Sequence, residues 1–317
     1  MLNLTAQTPV MVIGAACGDV ILSMQRLPRS GGDEVASETG RQIGGCAFNV
    51  ARVLARLGMP LINGIPVGTG VWGEAVARAM QAESLPVHLH NREHDNGWCL
   101  ALVEPHGERT FVTVEGCEQF WDTDALEALL PQEPAWVYAS GYEIASHHGK
   151  PLLSWLTNLP TRVKLFIDLG PRINALSPQV LATLLGRGAL LTLNREEAAQ
   201  LLKQPVTPQN IAAFCQAHHV PLIVRQDKDG ALVGSPDGQC HHVMPVPITP
   251  CDTIGAGDAH GGATLAGLMS GLPLVEAVQL GNLVAAIVVS RPGADGAPYL
   301  AELSDYPLPA IQLLDSR

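Results

Sequence analysis

The stretch CDTIGAGDAHGG, residues 251–262, carries the densest chemistry in this 317-residue chain. Gly255 and Gly257 flank Ala256 just ahead of a segment of helical composition. Glycines there reach backbone conformations that other residues avoid, and they let N–H groups approach an anion. A helix start adds unpaired N–H donors and the positive end of the helix dipole. Gly255, Ala256 and Gly257 therefore read as an anion hole, with Asp258 in the first helical turn beside it. A carboxylate repels a bound phosphate, so its presence fits a group that takes the proton of an attacking hydroxyl. The plainer alternative is a helix cap following a glycine turn.

Downstream, 257–271 and 273–290 read as two helices rich in small residues, able to sit close to their neighbours. Upstream, short apolar runs alternate with helical ones. VMVIGAA (10–16) reads as a buried strand. FNVARVLARLG (48–58) reads as a helix with Val50, Val53, Leu54 and Leu57 on one face and Gly58 as its stop. Further apolar runs end at Val67, Tyr138, Ile167, Leu193 and Val224. The alternation predicts an α/β chain, a mostly parallel sheet covered by helices on both faces. Two pieces break the rhythm. Residues 20–43 are extended, with turn residues at 28–32, and 98–116 read as two strands around a Pro-His-Gly-Glu turn. They predict a small β-rich lid beside one main domain spanning 1–317. Such hairpins are marginal alone, so the lid must pack on the core or on a second subunit.

Three further strings carry polar chemistry. Asp19 is expected at or just past the C-terminal end of the first strand, where ligands of open α/β sheets bind. Its carboxylate either accepts two hydroxyl hydrogen bonds, as a sugar offers, or closes a turn. In GGCAFNVA (44–51), Gly44 and Gly45 permit close backbone approach. Asn49 starts the helix there, either as its cap or presenting its amide to a polar ligand. In LLTLNREEA, Asn194 and Glu197 lie one helical turn apart. That spacing suits a hydrated Mg2+ and equally a capping pair.

Thirty acidic against nineteen basic residues give a formal charge of −11, which argues against nucleic-acid or anionic-membrane partners. The seven cysteines are scattered without a CxxC, so reduced, mostly buried thiols are expected. The apolar run 283–289 is too short to span a bilayer, and MLNLTAQTPV lacks a secretory leader pattern; a soluble cytoplasmic protein is expected. No Walker-type phosphate loop, HExxH or GxSxG string occurs, and no GxGxxG follows the first strand.

Taken together and in this order, the four strings resemble the ribokinase family, also called the PfkB carbohydrate kinases, over nearly the whole chain. Its DTxGAGD signature is met by Asp252, Thr253, Gly255, Ala256, Gly257 and Asp258, and its GGxxxN signature by Gly44, Gly45 and Asn49. Its NxxE element is met by Asn194 and Glu197, and its early substrate-binding aspartate by Asp19. The resemblance implies a ribokinase-like three-layer α/β/α sandwich with a β-sheet lid. It also implies an ATP-dependent kinase acting on a hydroxyl, in the first place a primary one, of a sugar or of a nucleoside. Asp258 would be the base, and Gly255, Ala256 and Gly257 the anion hole. Asp19, Gly45 and Asn49 would hold the acceptor, joined by Glu143 in SGYEIA. Asn194 and Glu197 would organise Mg2+, while Arg225, Gly230, Gly257 and Asn282 would serve the nucleotide. Many members bind K+ near the signature, which here implicates Asp252, Ile254 and Gly293, with Arg291 in the same stretch. The lid forms a dimer clasp in many members, which implies a homodimer.

Departures from the pattern stand out. Arg225, Gln226 and Asp227 replace the usual Thr-x-Gly of the nucleotide-binding strand, and His260 replaces a common aromatic. IDLGPR (167–172) resembles an Asp-x-Asn-x-Arg element without its Asn, which makes Arg172 a candidate phosphate ligand. Trp98 and Phe111 are candidates to border a nucleoside base. A sugar-binding regulator without catalysis is the alternative outside enzymes.

Overall fold

The computed structural model describes residues 4–106, 108–293 and 295–314, except the side chain of Arg109. Gly107 of the expected Pro-His-Gly-Glu turn lies outside the described residues. The first half of the chain forms strands β1 (Val10–Ile13), β2 (Cys17–Met24), β3 (Ala36–Gly44), β4 (Leu61–Gly64), β5 (Pro66–Val67), β6 (Leu89–His90), β7 (Trp98–Val103) and β8 (Arg109–Val114). The second half adds β9 (Trp136–Ser140), β10 (Lys164–Asp168), β11 (Leu190–Asn194), β12 (Leu222–Arg225), β13 (Ala231–Gly234), β14 (Cys240–Val243) and β15 (Ile311–Leu314).

Nine strands form one sheet in the order β15-β14-β13-β12-β11-β10-β9-β1-β4. Pairing is parallel from β4 to β12 and antiparallel from β12 to β15. All four residues of β1 are buried, as a parallel strand covered on both faces requires. One face packs Phe48, Val53 and Leu54 of helix Cys46–Arg56 with Ala263, Leu283 and Ile287 of helices Ala256–Met269 and Leu274–Val289. The other face packs Leu152, Leu156, Leu184, Ala198 and Ile211 from four further helices. The result is three layers, α/β/α.

Successive parallel strands end on polar residues along one edge. Ser140 is in register with Asp168, Asp168 with Thr192, and Asn194 with Arg225. Their side chains share one face of the sheet, because side chains alternate along a strand.

A second sheet runs β3-β2-β7-β8. Here the structure corrects the reading of VMVIGAA as one strand. β1 stops at Ile13, and Asp19 lies inside β2 of the small sheet rather than at the end of a core strand. The break occurs at Gly14, whose φ of +144° suits glycine. A Cβ there would stand 2.9 Å from the Ala47 Cβ and 3.2 Å from Glu143 Oε2. The following helix begins at Cys46, with Gly45 as its N-cap, so Asn49 is its fourth residue and not its cap. The run ending at Val67 belongs to a separate two-stranded sheet, β5 with β6. No described helix is long and apolar enough to cross a membrane.

Candidate active site

Helix Cys46–Arg56 and helix Ala256–Met269 lie side by side and bring two distant residues together. Asn49 Nδ2 donates to Asp258 Oδ2 at 2.8 Å. The Asn49 amide is itself oriented, because Arg52 Nη1 donates to its Oδ1 at 3.3 Å and Glu83 holds the Arg52 guanidinium. Asp258 is the third residue of its helix, after Gly255, which caps that helix at a left-handed φ of +74°. The first N–H groups of a helix have no partner within it, and they face the same space. Burial pushes the Asp258 carboxyl up to about 6, against the opposing pull of the Asn49 hydrogen bond. The Cys46 thiol lies beside it, and its own titration is pushed up by burial and then by the Asp258 charge.

Asp19 approaches from the small sheet. It is in register with Gln42 on β3 and Cys99 on β7. Its Oδ2 lies against Gly44, where a Cβ would come within 2.5 Å of it, so the glycine makes room for the carboxylate. Burial pushes Asp19 up to about 6, and no described residue donates a hydrogen bond to it. Gly45 takes φ +101° and crowds Ala15, with room for no Cβ within 2.6 Å of the Ala15 carbonyl oxygen. Glu143 is 1% exposed. It accepts from Ala15 N at 3.1 Å and from Ser140 Oγ at 2.6 Å, and burial pushes it up to about 7. The structure thus places Glu143 beneath the bend that leads into Asp19, bracing it.

The groups at the ends of β10, β11 and β12 are held differently. Asn194 and Glu197 form a reciprocal capping box on helix Arg195–Leu202, each contact at 2.8 Å. Arg225 Nη1 donates to Asp168 Oδ2 at 2.7 Å and to the Gly257 carbonyl at 3.4 Å, and Nη2 lies 3.8 Å from Glu197 Oε2. Asp168 was not singled out from the sequence. Its signal was an acid ending an apolar strand on the same edge as Asn194. Arg172 is exposed on the turn Gly170–Ala175, its guanidinium 5.5 Å from the Tyr142 ring. Burial pushes Tyr142 up to about 12, and Arg172, Asp258 and Glu197 all act on it, so it borders both groups.

Two residues expected at the nucleotide are engaged with the chain itself. Asn282 Nδ2 donates to the carbonyls of Val243 and Met244, and its Oδ1 faces His260 Nε2 at 3.1 Å. Burial pushes His260 down to about 3, so the ring stays neutral. Gly230 takes φ +85° where a Cβ would stand 2.2 Å from the Val243 carbonyl, so it serves the close crossing of β14. Asp252 accepts from Ile254 N at 3.0 Å and Gly293 N at 3.3 Å, drawing those three residues together. Arg291 turns away to the Gly296 carbonyl and Glu302.

The two aromatic candidates separate. Trp98 is in register with Gly18, one residue out of phase with Asp19, and stacks on Trp72 on the far face of the small sheet. Phe111 shares a row with Ala101 and Ile21, on the face that carries Asp19, and is 57% exposed.

The sequence profile described as pfkB family carbohydrate kinase matches residues 7–299. The chain is 43% identical over 306 residues to an uncharacterized sugar kinase of Escherichia coli K12, YegV, covering 95% of this chain and 94% of that one. Ribokinase from Thermotoga maritima superposes with a TM-score of 0.81 at 19% identity, over 94% of this chain and 98% of that one. Arabidopsis thaliana ribokinase, complexed with ribose and ATP, superposes at 0.78 and 19% identity over the same shares. At these identities the two structures speak for the fold.

Proposed function

The chain belongs to the pfkB family of carbohydrate kinases and has the ribokinase-like α/β/α fold, and on that premise we propose that it transfers the terminal phosphoryl group of ATP to a primary hydroxyl of a sugar. The observation that carries this reading is the half-buried Asp258 carboxylate, oriented by Asn49 at the open N-terminus of its helix. With an ordinary titration raised to about 6, it is ionised at neutral pH and a stronger base than a free aspartate. Asp258 takes the proton of the acceptor hydroxyl. The backbone of Gly255, Ala256 and Gly257 stabilises the charge passing on the phosphoryl oxygens. Asp19, with unfilled lone pairs, accepts two further hydroxyls of the acceptor, and Gly45 and Asn49 complete its floor.

The small sheet acts as a lid in this reading. Closing it carries Asp19 onto the acceptor and keeps water from competing for the phosphoryl group. Its outer face exposes Val112 and Val114, which suits a clasp between two copies. Seven unbridged cysteines suit a reducing cytoplasm.

The carboxylates of Asp168, at the end of β10, and Glu197, in the first turn of the helix after β11, are hard oxygen donors, which fits Mg2+ held through water, with Asn194 orienting Glu197. The ion, when bound, neutralises phosphate charge. Asp252, Ile254 and Gly293 lie close enough to one another to share a K+. Arg172 stands on the turn Gly170–Ala175, in reach of phosphate. A nucleoside acceptor is the second reading, favoured by the exposed Phe111 ring on the Asp19 face, where a base could stack.

The test is ADP release from MgATP across pentoses, hexoses, sugar acids and nucleosides, with and without K+, beside Asp258→Asn. One acceptor class is expected to give strong turnover that the variant loses. A variant that keeps most of its rate overturns the assignment of the base. Acceptor binding without ADP release from the native enzyme identifies a regulator instead.

A further inference from the structure

Arg225 brings a buried cation to a strand end where a neutral residue would close the turn. Its Nη1 donates to Asp168 Oδ2 at 2.7 Å, and its Nη2 to Oδ1 at 3.4 Å. The two side chains are 14% and 12% exposed. A Cβ added to Gly257 would stand 3.4 Å from Arg225 Cζ and Nη1, so the guanidinium lies against the turn that forms the anion hole. Asp168, Glu197 and Asp258 surround it with three carboxylates.

Three acids and one cation leave this corner net negative, and a nucleoside triphosphate is itself a polyanion. The donors of Arg225 are meanwhile turned to Asp168 and the Gly257 carbonyl. A phosphate can use this cation only if the guanidinium leaves Asp168. Arginine suits such an exchange, because its planar fork meets a carboxylate and a phosphate with the same two-bond geometry. Breaking a buried ion pair is costly when a charge is left uncompensated. Here the incoming phosphate would compensate Arg225, and Asp168 would be left free to hold the water of a metal ion brought with the nucleotide.

We propose that Asp168 and Arg225 form a charge latch: in the free enzyme Asp168 parks the guanidinium beside the anion hole, and on nucleotide binding it turns onto the terminal phosphate of the triphosphate. The proposal rests on the kinase reading above and deepens it, since Arg225 becomes the residue that tells a triphosphate from a diphosphate. It also leaves Asp168, once the guanidinium has turned away, as a carboxylate that would hold a metal-bound water. The two states differ by which anion the fork holds, so the ligand shifts the equilibrium by its differential contact with one of them.

The affinities of ATP, ADP and AMP, measured by calorimetry in EDTA and in Mg2+ on the full chain, test this directly. Arg225→Met is expected to weaken ATP by at least about tenfold, ADP less and AMP little, so that the ATP-to-ADP ratio collapses. Arg225→Lys, which keeps the charge without the fork, should lower the same ratio partway and covers the case in which the methionine variant fails to fold. Asp168→Asn frees the guanidinium, so in EDTA it should bind ATP more tightly than the native protein, while needing more Mg2+ to reach full affinity. A pair that only ties β10 to β12 would lower the melting temperature and leave the ATP-to-ADP ratio untouched, which overturns the latch. Weaker ATP binding by Asp168→Asn in EDTA overturns it as well. If the native protein binds no ATP under either condition, the kinase reading itself fails and the latch falls with it.

Discussion

The two halves of the candidate site hold their acids in opposite ways. On the proposed acceptor side, Asp19 and Asp258 are half-buried with no ion pair closed on them, and each is pushed up to about 6, Asp19 by burial and Asp258 chiefly by burial against the pull of Asn49. On the proposed nucleotide side, Asp168 and Glu197 share the Arg225 guanidinium. One side keeps lone pairs free to take up protons and hydroxyl hydrogen bonds. The other keeps its charges closed on one another, and in the proposed latch a phosphate would open them. An enzyme that must remove a proton at one end of a reacting line and hold phosphate at the other needs this asymmetry. It follows from where the two carboxylate pairs sit: the first between a glycine-rich turn and a thin sheet, the second at the end of a core strand and in the first turn of the helix that follows its neighbour.

The strongest way to break the contrast is Asp258→Asn. The amide cannot take the proton, and kcat is expected to fall by about a thousandfold, the usual range of a positioned base. Removing a half-buried charge with no ion pair closed on it should leave the fold intact and raise the melting temperature at pH 8. Steady-state kinetics beside a thermal melt checks both; a kcat within tenfold of native would move the base elsewhere. Asp19→Asn comes next. It keeps one acceptor atom but loses the charge, so the acceptor KM should rise about tenfold to hundredfold. The ATP KM should stay within a factor of about two, since Asp19 has no part in the nucleotide side. Equal losses for both substrates would erase the distinction between the sides.

Much of this arrangement was legible in the sequence, and the part that was not shares one physical cause. The signature at 251–262, the helix pair after it and Asn194 at its strand end followed from local pattern, because backbone geometry and hydrophobic period are local properties. Asn49 and Asp258 stood out as polar residues in glycine-rich strings, but their hydrogen bond joins positions 209 residues apart, and no spacing rule encodes it. The Asp168–Arg225 pair spans 57 residues and was hidden further, since an acid ending an apolar strand is ordinary. The break at Gly14 was invisible for another reason. Apolar residues run on both sides of it, and only the packing of Ala47 and Glu143 against its Cα shows that the chain changes sheets there. Asn194 and Glu197 met the expected spacing and form a capping box; the same spacing suits a hydrated Mg2+, and the sequence could not separate the two.

The pH profile sharpens the comparison. In the proposed mechanism Asp19 and Asp258 both act ionised, and both are pushed up to about 6, so log kcat/KM should fall below about pH 6 with a slope above one. In Asp19→Asn that slope should drop to one, leaving Asp258 alone. A slope of one in the native enzyme would remove Asp19 from the titrating pair.

The smallest expected effect concerns Glu143, under the same side. Its carboxyl titrates near 7 in the folded chain, above the usual value of 4.5. A carboxyl raised in the folded state binds its proton more tightly there than in the unfolded chain, so it favours folding at low pH. That contribution is lost as pH rises from about 4.5 through about 7. The native melting temperature should therefore decline over this window. Glu143→Gln keeps the contacts to Ala15 N and Ser140 in shape while removing the titration, so its melting curve should be flatter with pH and lie above native by a few degrees at pH 8. The acceptor KM should change little, because Glu143 supports the bend before Asp19 rather than the acceptor. A large KM change with no change in the pH dependence of stability would mean that Glu143 reaches the acceptor itself, and that the acceptor side holds a third working acid where the structure shows a buried brace.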